Sequence, residues 1–313
     1  MHWDERLVAR LKLRDLHILA AVVEAGSMGR ASETLHVSQP AVSKAIANLE
    51  HTLGVRLLDR TAQGVEPTSY GRALLKCGVA LFDELRQGVK AIESLSDPSC
   101  GELRTGSTPQ IATTIFLAVI ERLTREHPRL AFHVVTAATE TLLHELSERR
   151  VDVVMTRIFQ PLAEQELEVE ILFEDSFVVV AAPQNPWLRR RKVELHDLVN
   201  ERWTLSPAER MGGSLVVEAF RACGLEPPQA AVVTHSLEMR KSLLATGRYL
   251  SVLPGFMLRF PSRESSFKPL AVDLPTTRRP IALITLKNRT LAPAARLFID
   301  QVRALTRGLA TSK

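Results

Sequence analysis

Cysteine is scarce in this chain: three residues, Cys77, Cys100 and Cys223, among 313. They are too dispersed for a metal cluster and too few for a disulfide framework, so reduced thiols in a cytoplasmic protein are expected. No apolar run is long enough to span a bilayer. The polar start, Met1-His2-Trp3-Asp4-Glu5-Arg6, has no apolar stretch of a secretion signal behind it. A cytoplasmic protein with no membrane partner is therefore expected. Catalytic signatures are missing as well: no Gly-rich phosphate loop, no H-E-x-x-H pair and no G-x-S-x-G elbow. The histidines, among them His17, His36, His133 and His235, are scattered. No catalytic residue, metal ligand or cofactor is assigned, and an enzyme is not expected.

What is present is a globular composition, 45% hydrophobic and 24% charged, in a length that suits two to three domains. The net charge of +5 invites a nucleic-acid reading. Up to Thr68, however, acids balance the lysines and arginines, so the excess lies further along. A DNA argument has to rest on local placement instead.

Local placement supplies one. Leu13, Leu16, Leu19, Ala20 and Val23 recur at helical spacing, and Gly26 stops that helix. Ser27 caps a short second helix over Met28 to Leu35, with Ala31 small enough for close packing. His36-Val37 makes a tight turn, with Val37 as its apolar plug. Ser38 caps a third helix that has Pro40 in its first turn and Gly54 at its end. Val42, Ala45, Ile46, Leu49 and Leu53 share one face of it. Gln39, Ser43, Lys44, Ala47 and Asn48 share the other. Periodicity alone fits an ordinary amphipathic helix with a solvated face. Two helices joined by a short turn, the second carrying amide and basic side chains near its start, also suit entry into the major groove. Gln and Asn pair adenine, Lys reaches guanine, and Ser serves a base edge or a phosphate. Two apolar stretches around Ala62-Gln63-Gly64 then look like a wing hairpin.

The run Ala31…Leu35-His36-Val37-Ser38-Gln39-Pro40-Ala41-Val42-Ser43-Lys44-Ala45-Ile46 resembles the signature of LysR-type transcriptional regulators. Leu49-Glu50…Leu53-Gly54-Val55-Arg56-Leu57-Leu58-Asp59-Arg60 and Pro67-Thr68…Gly71 continue the likeness in order. The resemblance implies that Gln39, Pro40, Ser43 and Lys44 meet bases or the groove wall and that Arg60 holds a phosphate. Ser38, Asn48 and Thr68 complete the expected DNA-contact set. Lys44 stands where the family commonly has Arg, which replaces a bidentate contact by a point charge. Gln63 and Glu66 stand where the wing is often basic.

From Ser69 to Ser96 there is no proline. Leu75, Gly78, Phe82, Leu85, Val89 and Ile92 recur at spacings of three and four. A helix of about 40 Å, at roughly 1.5 Å per residue, finds little cover on so small a domain. A seam with a second copy is expected. The resemblance implies the same homodimer, often paired again into a homotetramer, acting on double-stranded operator DNA and on RNA polymerase.

Past Cys100 the pattern alternates strand and helix. Strands are expected at Glu102–Gly106, Leu130–Thr136, Val151–Met155, Phe177–Ala181, Trp203–Leu205, Ala231–Thr234, Tyr249–Leu253, Leu270–Val272 and Ile281–Leu286. Helices fall between them, with a last one over Leu291–Leu305. This alternation argues for doubly wound parallel sheets in two α/β subdomains. Leu146…Val151-Asp152-Val153-Val154 and Leu243-Leu244-Ala245-Thr246-Gly247…Leu253-Pro254 resemble the family's periplasmic-binding-protein-like (type II) effector domain. On that likeness the chain crosses between subdomains near Glu174 and returns near Ala271 to Leu274. The expected domains are a winged helix-turn-helix over 1–68, a linker helix over 69–98 and an effector domain over 99–313.

A ligand in such a domain sits between the subdomains, at strand ends and helix starts. Ser107 and Thr108 precede a helix whose free N–H groups suit an anion such as an organic acid. Thr156, Ser206, Pro207, Thr234 and Ser236 lie at comparable junctions, with Arg157 and Arg210 as counter-charges. Each has a plainer role as well: the hydroxyls as helix caps, Arg210 as surface. A transport-type binding protein would explain the second half of the chain, and an architectural DNA binder the first. Neither explains both.

Overall fold

The computed structural model describes residues 10–61, 64–96, 100–162, 166–208, 211–260 and 267–310. The chain divides into two compact units, Met1–Val89 and Lys90–Lys313.

In the first unit, helices α1 (Leu13–Ala25), α2 (Met28–Thr34) and α3 (Gln39–Leu53) enclose a core. Leu19, Val22, Ala31, Val42, Ile46 and Leu49 lie at its centre, and Val37 plugs the turn from one side. The helix ends follow from local chemistry. Gly26 and Gly54 adopt the left-handed conformation that ends α1 and α3. The Ser27 hydroxyl accepts from the Arg30 amide and caps α2. His36 takes the left-handed turn position, at φ 52°, between α2 and α3. Ser38 has the extended backbone of an N-cap, but its side chain makes no capping bond. The Glu50 carboxylate accepts the Leu57 and Leu58 amides at 2.8 and 3.2 Å and fixes the exit from α3.

Strands β1 (Leu58–Thr61) and β2 (Gly64–Pro67) form the expected hairpin, with Asp59 opposite Glu66 and Arg60 opposite Val65. The Val65 amide donates to the Gly26 carbonyl at 2.9 Å, which ties the hairpin to the end of α1.

Helix α4 (Ser69–Ser96) departs from the expected seam. Its first half covers its own domain: Leu74 and Leu75 pack on the core, Gly78 is buried, and Phe82 sets its edge on His17 at 5.9 Å. Asp83 and Gln87 are buried too. Among the described residues Leu81, Leu85, Val89 and Ile92 form an exposed apolar stripe. Phe82 therefore belongs to the domain, not to the stripe.

The second unit is built on two sheets. Strands β3 (Cys100–Ser107), β4 (Arg129–Thr136) and β5 (Val153–Arg157) are parallel. Strand β6 (Leu167–Asp175) leads to β7 (Phe177–Ala181), with which the second subdomain begins. That subdomain also holds β8 (Thr204–Leu205), β9 (Val232–Val233), β10 (Ser251–Pro254) and β11 (Lys268–Pro269). Strand β12 (Arg279–Leu286) returns to the first sheet, whose order is β4-β3-β5-β12-β6. The second sheet runs β10-β7-β11, and β8 and β9 form a parallel pair.

The expectation of doubly wound parallel sheets is corrected: β12 lies antiparallel to both β5 and β6, and β7 to both β10 and β11. Strand β6 was not foreseen, and the expected strand at Leu270–Val272 is the two-residue β11 just before it. Thr156 and Arg157, expected to follow β5, are its last two residues.

The helices are α5, α6 (Thr139–Ser147), α7 (Met211–Ala222), α8 (Leu237–Ala245) and α9 (Pro293–Ala310). In α5, a short Pro109–Ile111 turn, a π-helical turn at Ala112–Phe116 and Leu117–Glu126 run on as one. The Phe116 and Phe298 rings meet edge to face at 4.9 Å and join α5 to α9. In the second subdomain Trp203 is fully buried, meets Phe220 edge to face and donates its indole N–H to the Leu198 carbonyl at 2.8 Å.

A buried ion pair stitches the first sheet. Arg289 donates to Asp152 at 2.7 Å and to the Val151 carbonyl at 2.9 Å, while Asp152 accepts the Arg104 amide at 3.0 Å. The crossing from β6 to β7 is equally well tied. The buried Thr277 hydroxyl accepts the Phe177 amide at 3.2 Å and donates to the Leu274 carbonyl at 2.9 Å. Among the described residues no helix is long and apolar enough to cross a membrane.

Candidate nucleic-acid interface and ligand cleft

Helix α3 turns its apolar face to the core and leaves Gln39, Pro40, Lys44, Ala47 and Asn48 exposed, with Ser38 just ahead of them. Ser43 is half-buried, and its hydroxyl lies 3.3 Å from the Met28 sulfur. The expected base-reading residues thus share one solvent-facing strip, with amide, hydroxyl and ammonium groups on it. Thr68 differs. Its hydroxyl donates to the Arg56 carbonyl at 2.8 Å and accepts the Gly71 amide at 3.1 Å, so it caps α4. That leaves its donor spent inside the domain. The side chain of Arg60 lies outside the described residues, although its backbone sits in β1. Asp59 and Glu66, directly opposed and exposed, give the wing two carboxylates.

The second unit holds a cavity of about 600 Å³ at the junction of its two sheets. From the first subdomain come Thr108 and Gln110 at the start of α5, Thr139 at the start of α6, and Arg157 and Phe159 from the end of β5. From the second come Leu205 at the end of β8 and Ser206 after it, Gly212 in α7, His235 just before α8 and Arg240 in its first turn, and Val252 in β10. Helix starts converge on it from both sides, so partial positive charge from unpaired N–H groups faces inward.

Of the expected effector residues, Thr108, Arg157 and Ser206 line this cavity. Thr108 is the N-cap residue of α5, yet its hydroxyl makes no capping bond. The others are placed differently, each for a local reason. Ser107 is the fully buried last residue of β3, behind the wall. The Thr156 hydroxyl shares a 2.6 Å hydrogen bond with Thr139. Thr234 and Ser236 accept the Ser236 and Met239 amides, both at 3.1 Å, and are spent shaping the start of α8. The residue between them, His235, is the one that reaches the cavity. The Pro207 carbonyl faces Gly213, where a Cβ would come within 2.0 Å of it, so this loop packs against α7. Arg210 lies outside the described residues.

Two arginines on the wall are buried, and they are not equivalent. Arg157 pairs with the Asp175 carboxylate and donates to the Asp175 carbonyl at 2.6 Å, with its guanidinium over the Phe177 ring. Burial pushes its pKa down and that of Asp175 up, and their pairing pulls each back. The Asp175 carboxylate also accepts the Phe256 amide at 2.7 Å. Arg157 is therefore a tie at the subdomain crossing, compensated from within, and not the free counter-charge expected.

Arg240 is the residue that sequence reasoning missed. It is 5% exposed, and burial alone pushes its pKa down. Its position carried a signal: Leu237, Arg240 and Leu244 are the buried face of α8, so a cation stands on an apolar stripe.

Comparison with known proteins bears on both regions. Residues 13–72 match the family described as "Bacterial regulatory helix-turn-helix protein, lysR family", and residues 96–307 match "LysR substrate binding domain". The HTH-type transcriptional regulator YeiE of Escherichia coli (strain K12) is 31% identical over 291 residues, covering 93% of this chain and 96% of that one. A full-length OxyR variant from Pseudomonas aeruginosa superposes with a TM-score of 0.62 at 22% identity, over 94% of this chain and 95% of that one. Full-length CbnR complexed with its target DNA gives 0.53 at 22% identity, over 95% and 100%.

Proposed function

The chain belongs to the LysR family of bacterial transcriptional regulators, and from that premise we propose how its own residues divide the work. It is a sequence-specific DNA-binding regulator with a winged helix-turn-helix and an effector-binding domain, and not an enzyme. Helix α3 reads operator DNA in the major groove, with Gln39, Lys44 and Asn48 at base edges and Ser38, Pro40 and Ser43 against the groove wall. Arg60 holds a phosphate. The observation that carries this is the exposed polar strip of α3, backed by a fully apolar inner face. The carboxylates of Asp59 and Glu66 repel phosphates, which shifts affinity from the wing to α3.

Two copies associate through the exposed stripe of α4, and a symmetric pair sets two copies of α3 on successive half-sites. The working form is a cytoplasmic dimer or dimer of dimers that contacts RNA polymerase. The helix-turn-helix occupies 1–68, the linker 69–98 and the effector domain 99–313. The cavity takes a small organic acid that biases DNA binding or activation. The inward helix starts and the free hydroxyl of Thr108 support an anion there.

The test is footprinting on the DNA upstream of the coding region and its neighbours, with and without candidate acids. A protected site whose affinity or extent shifts with an acid is the expected result. The absence of any protected site near the gene would overturn the regulator assignment for this operator. Thr108→Val should weaken the acid by about 0.5–1.5 kcal/mol and leave DNA affinity without ligand unchanged.

A further inference from the structure

Arg240 is an expensive residue where it stands. It is 5% exposed and lines the cavity. Its Nε has no hydrogen-bond partner among the described residues, and one terminal nitrogen donates to the Val252 carbonyl at a long 3.3 Å. Among the described residues no carboxylate offsets its charge: Glu238, two residues earlier, is held by Lys241 at 2.9 Å, and Asp175 is held by Arg157. It also sits in the first turn of α8, where the helix dipole already presents positive charge. A buried cation with an idle donor, at the positive end of a helix, destabilises the free protein unless something brings an anion to it.

The rest of the wall tells what that anion is attached to. Among the described residues the other ionisable side chains on it are Arg157, already paired, and the exposed Glu140 and His235. Apolar side chains make up most of the remaining wall, Ile111, Phe159, Val216, Phe256 and Ile281 with the Phe177 ring beside the crossing, and Gln110, Thr139 and Ser206 add neutral polar groups. One uncompensated cation among the described residues matches one negative charge, and a mainly apolar wall matches a compact apolar body.

We infer that the effector is a monocarboxylate with an apolar, ring-sized body, its carboxylate held by Arg240 and the Thr108 side and its body packed among Phe159, Phe177 and Phe256. This rests on the effector-cleft reading above and adds to it the charge, the anchor and the apolar part. Among the described residues a second carboxylate would meet no unpaired cation, and a polyhydroxylated acid would leave most of its hydroxyls facing hydrocarbon. Discrimination follows from what the site cannot satisfy.

The experiment uses the full-length protein and named probes: benzoate, phenylacetate and cyclohexanecarboxylate, their neutral amides, succinate, gluconate and inorganic phosphate. Calorimetry and thermal shift read binding to wild type, Arg240→Gln and Gly212→Leu. At Gly212 a Cβ would lie 3.7 Å from the Phe177 ring, in ordinary contact, so a leucine there occupies the cavity without forcing the backbone. The expected result is binding of at least one apolar monocarboxylate, no binding of its amide, and roughly a 10- to 100-fold loss in Arg240→Gln. Ligand-free Arg240→Gln should melt at or above wild type, because an uncompensated buried charge is gone. A marked fall in that melting temperature makes Arg240 a structural residue and overturns the proposal. So does equal binding of acid and amide, tightest binding of succinate, gluconate or phosphate, or no binding by any of the three monocarboxylates. If Gly212→Leu blocks an acid that Arg240→Gln still binds, the cleft reading stands and this inference fails. If an acid binds Gly212→Leu as well as wild type, the ligand lies elsewhere and both readings fall.

Discussion

Leu85, Val89 and Ile92 are 50%, 55% and 66% exposed on α4 and follow one another at spacings of four and three. Burying such a side chain fully stabilises by about 1.5–3 kcal/mol, so covering the exposed half to two-thirds is worth about 1 kcal/mol each. A symmetric pair covers each twice, about 6 kcal/mol in all, or roughly four decades in the dimer dissociation constant. Leu85→Glu with Val89→Glu removes four of those six apolar surfaces and puts like charges into the seam. The loss is at least about 4 kcal/mol, close to three decades. Sedimentation velocity across a concentration series should show a shift to smaller species, with weaker operator binding in parallel. Phe82→Glu is the informative control. Phe82 packs its edge on His17, so that substitution should lower the melting temperature of the N-terminal unit. A Leu85→Glu/Val89→Glu protein that sediments as wild type at every concentration would refute the seam and leave the stripe as surface.

Other perturbations separate further roles. Lys44→Ala should cost about 1–3 kcal/mol at one base step if Lys44 reads a base, measured by binding to operators mutated step by step. A uniform loss with a salt slope reduced by about one unit would assign it to phosphate. Arg289→Met leaves Asp152 buried without its 2.7 Å partner and should cost about 3–5 kcal/mol in urea denaturation; a change under about 1 kcal/mol would contradict the pair's role. Gly71→Ala places a Cβ 2.1 Å from the Leu57 carbonyl oxygen and should destabilise the first unit by about 2 kcal/mol or more, read by thermal melting. Ser107→Ala should leave effector affinity unchanged, because that hydroxyl lies behind the cavity wall.

The first domain was legible almost residue by residue, because its signals are local. Gly26, Ser27, Gly54 and the apolar stripe of α3 act within one or two turns, and the observed elements begin and end where they point. The linker was legible as a helix but not as to what covers it. Spacings of three and four describe a stripe without saying whether the partner is the same chain. Here the stripe divides: Leu75 and Phe82 go to the domain, while Leu85 and Ile92 stay exposed. The mixed sheet was hidden for a related reason. A strand's direction is set by where the chain returns, and β12 pairs with β5 across more than a hundred residues of sequence. Strand β6 escaped notice because Leu-Glu-Val-Glu-Ile interleaves acids with apolar residues at a sheet edge, and the Arg303 that holds Glu170 comes from the distant helix α9.

The cleft was legible as a place and much less as chemistry. Hydroxyls at strand-to-helix junctions were the natural candidates, but a helix start consumes hydroxyls before a ligand can. Ser236 and Thr234 bond the backbone of their own turn. The arginines were misjudged by the converse logic. Arg157 stood at a strand end and looked available, yet its carboxylate partner comes from Asp175, eighteen residues on and across the subdomain crossing. Arg240 stood in a helix and was passed over, yet it occupies the inward stripe between Leu237 and Leu244. For a buried cation, availability depends on whether an acid lies nearby in space, which sequence distance does not encode. The rule that would have found it is narrower. A charged residue at a position where the helical period demands an apolar one has either a partner in the fold or a task outside it. For Arg240 the described residues supply one long bond to a carbonyl and no carboxylate, and the task follows from that shortfall.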